Sequence, residues 1–141
     1  MEMQDMRELE KPTEIPAGDK LEIMLKMQHD INKKIYPIVM QNLRMGIYYS
    51  EKFTESEKER LTKEYLLAIM RECCEALDLL NCKPWKKTQK PIDIENFKYE
   101  IIDIQHFLNS VYDIWEMDSN EVMKYYISKN KENHNRVERN Y

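Results

Sequence analysis

The length, composition and charge of the chain already exclude several classes of protein. It has 141 residues, 34% charged and 42% hydrophobic, which is the size and balance of one globular domain with its own core. A net charge of −4 does not favour binding to a nucleic-acid backbone, and no stretch approaches the roughly 20 apolar residues of a membrane span. Only two glycines are present, fewer than the turns of a sheet protein of this size require, so the composition predicts an all-α fold.

The N-terminal end and the cysteines indicate the compartment. Residues 1–19 are polar, with Pro12 and Pro16 and without the apolar segment of a signal peptide. We interpret them as a flexible arm that precedes a single domain at 20–141. Three cysteines do not make up a disulfide framework and indicate a reducing environment, so we expect a cytoplasmic protein.

The first half of the domain contains two predicted helices. Apolar residues at helical spacing predict a helix at 19–35, which Pro37 interrupts before a short helical piece ending near residue 44. Thr54 and Glu57 form a capping-box pattern. They open the clearest helix of the chain, predicted at 55–80.

The second half contains two more. A loop with two prolines leads to a helix predicted at about 94–115. Asp118 or Ser119, followed by Glu121, is a typical start for a fourth helix, which becomes very polar from Lys129 onwards. Helices joined by short connections predict a bundle, here of four to five helices.

Two acidic pairs stand beside the apolar stripes of the second and third helices. Glu72 and Glu75 are three residues apart, as are Glu100 and Asp103, so each pair shares one helical face. One such pair is usually solvated surface, but two pairs beside apolar stripes favour convergence between antiparallel helices. Four carboxylates together need a counter-charge, and the hard cation Mg²⁺ prefers oxygen ligands.

Three further groups of polar residues have both a functional and a structural interpretation. Lys129, Asn133 and Arg136 share a helical face and can hold a polyphosphate, or they are a solvated basic end. Amides on the apolar face of the first helix either satisfy backbone groups or contact a base edge; these are Gln28 and Asn32. In the loop after the first acidic pair, Trp85 packs in the core, or it forms a second phosphate clamp with the neighbouring lysines, among them Lys86.

These elements, in this order, resemble the all-α NTP pyrophosphohydrolases, namely the MazG-like enzymes and the dimeric dUTPases. The resemblance covers about residues 20–141 and is to a minimal, phage-type version without the additional helices of larger members. It includes the two acidic pairs, the tryptophan–lysine loop and the amides of the first helix. It also includes a C-terminal phosphate motif that is filled by Lys129, Asn130, Asn133, Arg136 and Tyr141.

The resemblance implies a dUTP diphosphatase acting in the cytoplasm of a bacterial or phage-infected cell. A metal-activated water would attack the α-phosphorus of dUTP, and dUDP would also be a substrate, giving dUMP with release of pyrophosphate from dUTP. Mg²⁺, with Mn²⁺ as a substitute, would be bound by Glu72, Glu75, Glu100 and Asp103, of which Glu75 and Glu72 are the catalytic candidates. The phosphate-binding residues would be Lys86, Lys129, Asn133, Arg136 and Tyr141. The nucleoside-binding residues would be Gln28, Asn32, Trp85 and Asn130.

The resemblance also implies a homodimer, with a deoxyribonucleoside triphosphate as the other partner and neither nucleic acid nor membrane. Two alternatives remain at this stage. One is a dCTP-directed or MazG-like broad pyrophosphohydrolase, which would differ in base preference. The other is a non-catalytic helical interaction or regulatory protein that retains the fold, which would not bind Mg²⁺.

Overall fold

Four helices make up the secondary structure of the described residues. The computed structural model describes residues 9, 11–12, 14–45 and 52–139. In this part of the chain there is no strand, and the helices are α1 (Lys20–Asn42), α2 (Glu55–Asp78), α3 (Ile94–Ile114) and α4 (Ser119–Glu138). The predicted all-α class is therefore confirmed. None of these helices is long and apolar enough to cross a membrane. The predicted arm lies largely outside the described residues.

Each helix begins at a side chain that accepts a hydrogen bond from the backbone of its first turn. Such a cap satisfies an N–H group that has no partner inside the helix. Thr54 and Glu57 form the predicted capping box in both directions. The other three N-cap residues are Asp19, Asp93 and Asp118.

The predicted interruption at Pro37 is wrong, because α1 continues through this residue to Asn42. Proline removes one backbone hydrogen bond inside a helix, which usually bends or ends it. Here Tyr36 and Met40, on either side of Pro37, are almost completely buried in the core. Their packing holds the second half of the helix in line, so tertiary contacts outweigh the local preference.

Helices α2 and α3 form the main packed pair, and α1 lies against α3. The start of α2 meets the end of α3, where Lys58 pairs with Glu116 and the indole of Trp115 donates to Thr62. The two helices therefore run antiparallel, as predicted. The buried cluster between the three helices consists of Tyr36, Met40, Leu61, Tyr65 and Ile114.

Helix α4 stands apart from this core. It packs mainly against α1, and none of its described residues is buried. Large apolar side chains on its surface are exposed, among them Met123, Tyr125, Tyr126 and Ile127. Alone, the described chain therefore leaves a large apolar surface on this helix uncovered.

Candidate functional site

Three carboxylates from α2 and α3 converge at one position. One carboxylate oxygen from each of Glu72, Glu100 and Asp103 lies within 4.8 Å of the others. Glu75, the fourth predicted ligand, is exposed at the edge of this group. It is still close enough that its charge raises the pKa of Glu72, Glu100 and Asp103.

The helical register explains why these acids stand beside apolar residues. On α2, Glu72 follows the buried Leu61 and Tyr65 along one stripe and precedes the buried Ala76. On α3, Glu100 and Asp103 begin the stripe that ends at the buried Ile114. The core stripes of both helices thus run into carboxylates where the helices cross. Glu75 lies three residues beyond Glu72, on the flank, and stays in solvent.

The electrostatics of the cluster indicate a missing positive charge. Burial, followed by the charges of Glu75, Asp103 and Glu100, raises the pKa of Glu72 to about 7. Burial is also the main cause that raises the pKa of Glu100 and of Asp103. In addition, Oε2 of Glu100 is buried without a hydrogen-bond partner among the described residues.

These observations fit a hard divalent cation. A buried carboxylate oxygen without a donor is costly, and like charges at this separation repel one another. A cation coordinated by Glu72, Glu100 and Asp103 would satisfy the orphaned oxygen and lower all three pKa values. The donor set consists of oxygen atoms alone, which suits Mg²⁺ or Mn²⁺ rather than a thiophilic metal.

A groove of about 620 Å³ leads away from the carboxylates between α1, α2 and α3. Glu72 and Asp103 line it together with apolar side chains such as Ile35, Val39 and Phe107. An apolar groove with a few polar groups and a charged end is typical of a site for a small molecule. The size of this groove suits a nucleoside.

The amides predicted to contact the nucleoside lie along this groove. Gln28 and Asn32 both line it, and Gln28 Nε2 donates to Asn32 Oδ1 at 3.1 Å. Gln28 Oε1 lies 2.7 Å from Nδ1 of His106. Asn32 is completely buried, and its side chain donates to Asp113 Oδ2 at 3.0 Å.

The remaining predicted residues are not brought to the carboxylates by a described contact. Trp85 and Lys86 lie in the loop between α2 and α3, and Trp85 is 76% exposed, which excludes the alternative that it packs in the core. The exposed face of α4 carries Lys129, Asn130, Asn133 and Arg136, of which Arg136 pairs with Glu132 at 3.3 Å. Tyr141 lies outside the described residues.

Sequence reasoning missed four residues that support the groove. They are Tyr36, His106, Ser110 and Asp113, all hydrogen-bonded to one another or to the two amides. A signal for them exists in the spacing. The amides and Tyr36 are four residues apart on α1, and a polar stripe on α3 continues from Asp103 through His106 and Ser110 to Asp113. Facing polar stripes on adjacent helices indicate a shared network.

Comparison with known proteins identifies the family. A family model described as dUTPase matches residues 20–114, which comprise α1, α2 and α3 with all four carboxylates and the groove. Comparisons with curated proteins and with solved structures gave no match. Helix α4 lies beyond the matched residues. The matched segment is more than half of the chain, and it forms the α-helical structure and carries the acidic pairs expected from the resemblance; the chain therefore belongs to the all-α dUTPase family and is a dUTP diphosphatase.

Proposed function

We propose that this enzyme hydrolyses dUTP, and also dUDP, to dUMP in a reaction that depends on Mg²⁺, with Mn²⁺ as a substitute. From dUTP the other product is pyrophosphate, because the proposed attack is at the α-phosphorus. One observation carries the proposal. The convergent carboxylates, including the orphaned Oε2 of Glu100, stand at one end of a groove that suits a nucleoside.

The roles of the residues follow from their placement. Glu72, Glu100 and Asp103 would hold the cation, with Glu75 completing the acidic group. The bound cation supplies positive charge for the phosphates and lowers the pKa of a water. Glu75 is exposed at the edge of the cluster, where a carboxylate can take a proton from the attacking water.

The substrate would lie with its base in the groove and its phosphates towards the carboxylates. Gln28 contacts the base edge, and the adjacent Asn32 supports it. We assign Trp85 and Asn130 to the nucleoside as well. The phosphate chain would be bound by cationic and neutral donors on exposed parts of the chain, namely Lys86, Lys129, Asn133, Arg136 and Tyr141.

A panel of nucleotides tests the reaction. The enzyme is incubated with Mg²⁺ and each of dUTP, dUDP, dCTP, dTTP and UTP, and the products are separated. We expect selective formation of dUMP, with pyrophosphate from dUTP. Release of orthophosphate from dUTP would contradict attack at the α-phosphorus. Turnover of dCTP, or of many bases, would contradict the proposed substrate in favour of the related pyrophosphohydrolases.

A matched pair of variants tests the metal site. Glu100→Gln keeps the shape of the side chain but removes a proposed ligand, so we expect loss of turnover and of Mg²⁺ binding measured by calorimetry. Glu59→Gln makes the same change on α2 in an exposed pair with Lys63 and is expected to retain activity. Wild-type turnover in Glu100→Gln would exclude the proposed metal site.

We also propose that two chains form a homodimer. Only six hydrophobic residues are buried in the described part of the chain, a small core for its length. Exposed apolar residues recur along α2 and α3, among them Leu66, Met70 and Leu77 on α2 and Ile101 on α3. A second copy would bury such surfaces. Sedimentation equilibrium is the test, and a monomer at micromolar concentration would contradict the proposal.

The proposed compartment is the cytoplasm. Cys73, Cys74 and Cys82 are free and exposed in the structure. Exposed thiols persist in a reducing environment and oxidise readily outside it. Fractionation of the native cell, with the protein detected by antibody, is the test; recovery of the protein outside the cytoplasmic fraction would contradict this assignment.

A further inference from the structure

A chain of hydrogen bonds connects Gln28, in the groove, with a carboxylate that has no part in the proposed metal site. The carboxylate is Asp113, near the end of α3, and it is largely buried. Its Oδ2 accepts from Asn32 Nδ2 at 3.0 Å and from the hydroxyl of Tyr36 at 2.6 Å. Its Oδ1 lies 2.7 Å from Nδ1 of His29. Asp113 is thus held from three sides.

The chemistry of these groups determines which way the amide of Asn32 points. A carboxylate only accepts hydrogen bonds, so the nitrogen of Asn32 must face Asp113. The single hydroxyl hydrogen of Tyr36 goes to Asp113, so the hydroxyl oxygen accepts from the same nitrogen of Asn32, at 2.9 Å. Both amide hydrogens of Asn32 are thereby committed. Its oxygen must face the other way, towards Gln28.

The same logic extends one step further, to Gln28. Because the oxygen of Asn32 accepts, Gln28 approaches it with Nε2. The oxygen of Gln28 then faces His106, whose Nδ1 must donate to it. Each of these bonds uses one hydrogen of Nε2 and one lone pair of Oε1. Gln28 keeps one donor and one acceptor, and their order is imposed from Asp113.

The order of a donor and an acceptor is what distinguishes two pyrimidine bases. Uracil presents the O4 acceptor next to the N3–H donor, whereas cytosine presents the N4 amino donor next to the N3 acceptor. An amide that pairs with one of these edges must be reversed to pair with the other. Amide reversal costs little in solvent, but here it would bring the nitrogen of Asn32 against that of Gln28 and leave two oxygens facing each other at Asp113.

We propose that Asp113 is a positioning residue that sets the base preference of the enzyme, by fixing the amide orientation of Gln28 through Asn32. The inference rests on the proposed function, in which the base lies in this groove. Asn32 is completely buried, so it acts through Gln28 rather than on the base directly. The metal-binding carboxylates are not part of this chain of hydrogen bonds.

The variant Asp113→Asn tests this proposal. An asparagine at this position can accept or donate, so both downstream amides can reverse. We expect the ratio of kcat/KM for dUTP to that for dCTP to fall by about tenfold or more. The matched control is Asp30→Asn, at an exposed aspartate on α1 that pairs with Lys33 at 3.1 Å, and it should keep the wild-type ratio. A merely structural role of Asp113 would lower both rates together and leave the ratio unchanged, which would overturn the inference.

The wild-type enzyme provides a second test that does not depend on the folding of a variant. If both amide hydrogens of Asn32 are hydrogen-bonded and buried, they exchange with solvent much more slowly than those of exposed asparagines in NMR spectra. Exchange at the rate of exposed amides would overturn the inference.

Failure of the proposed function has a different signature. Wild-type enzyme that hydrolyses neither dUTP nor dCTP would refute the function on which the inference rests. Wild-type selectivity for dUTP that Asp113→Asn retains would refute the inference alone.

Discussion

Replacing Glu72 by glutamine should stabilise the protein when divalent cations are absent. Burial and the neighbouring carboxylates raise the pKa of Glu72 from 4.5 to about 7 in the folded protein. A group whose pKa is raised by folding contributes stability that is fully present below the unfolded value of 4.5 and is lost as the pH rises through about 7. The wild-type protein without metal is therefore expected to lose stability between these pH values.

The magnitude follows from the size of this change. At about 1.4 kcal/mol per pKa unit, moving the group from 4.5 to about 7 corresponds to at most roughly 3.4 kcal/mol. Glu72 is only half-buried, and solvent screening reduces such energies, so we expect ~1–2 kcal/mol. For a domain of this size, that is a rise in Tm of roughly 3–8 °C in Glu72→Gln.

Thermal unfolding followed by circular dichroism measures the effect, in EDTA at constant ionic strength. At about pH 8, Glu72→Gln should unfold at a higher temperature than the wild type, and the difference should vanish near pH 4. Added Mg²⁺ should reverse the order, because the wild type binds the cation more tightly and gains more stability from it. The control Glu59→Gln, which changes an exposed pair with Lys63, should show no such dependence on Mg²⁺.

The reasoning has a clear refutation. If Glu72→Gln unfolds at a lower temperature than the wild type at about pH 8 in EDTA, the carboxylate of Glu72 stabilises the fold without metal. The cluster would then be an ordinary structural feature, and the case for a cation at this position would lose its electrostatic support.

Three other substitutions test the core, a helix cap and the tail. Leu61→Ala removes a completely buried side chain and should lower the free energy of unfolding by ~2–5 kcal/mol in denaturant titrations; a loss below ~1 kcal/mol would contradict the described core. Thr54→Ala removes the capping box of α2 and should cost about 1 kcal/mol, whereas Thr54→Ser should restore most of it. Arg136→Ala should raise KM for dUTP with little change in Tm, and an unchanged KM would remove Arg136 from the proposed phosphate site.

Much of the fold could be predicted because helix formation depends on local patterns. The capping box at Thr54 and the apolar stripes of α2 and α3 indicated their helices almost to the residue. Pro37 shows the limit of such reasoning. Its local effect was predicted, but the burial of Tyr36 and Met40 that keeps α1 continuous depends on helices distant in the sequence.

The candidate site divides in the same way. By itself, the sequence determined the four helices, the pairing of acids three residues apart and the amides on one face of α1, because each is a matter of spacing along a single helix. Only the tertiary structure decided that Glu72 lies on the core stripe while Glu75 stays in solvent, and that Asp113 meets Asn32 across the helix interface. The physical reason is that contacts between helices depend on packing distance and register, and neither quantity is contained in the periodicity of one segment.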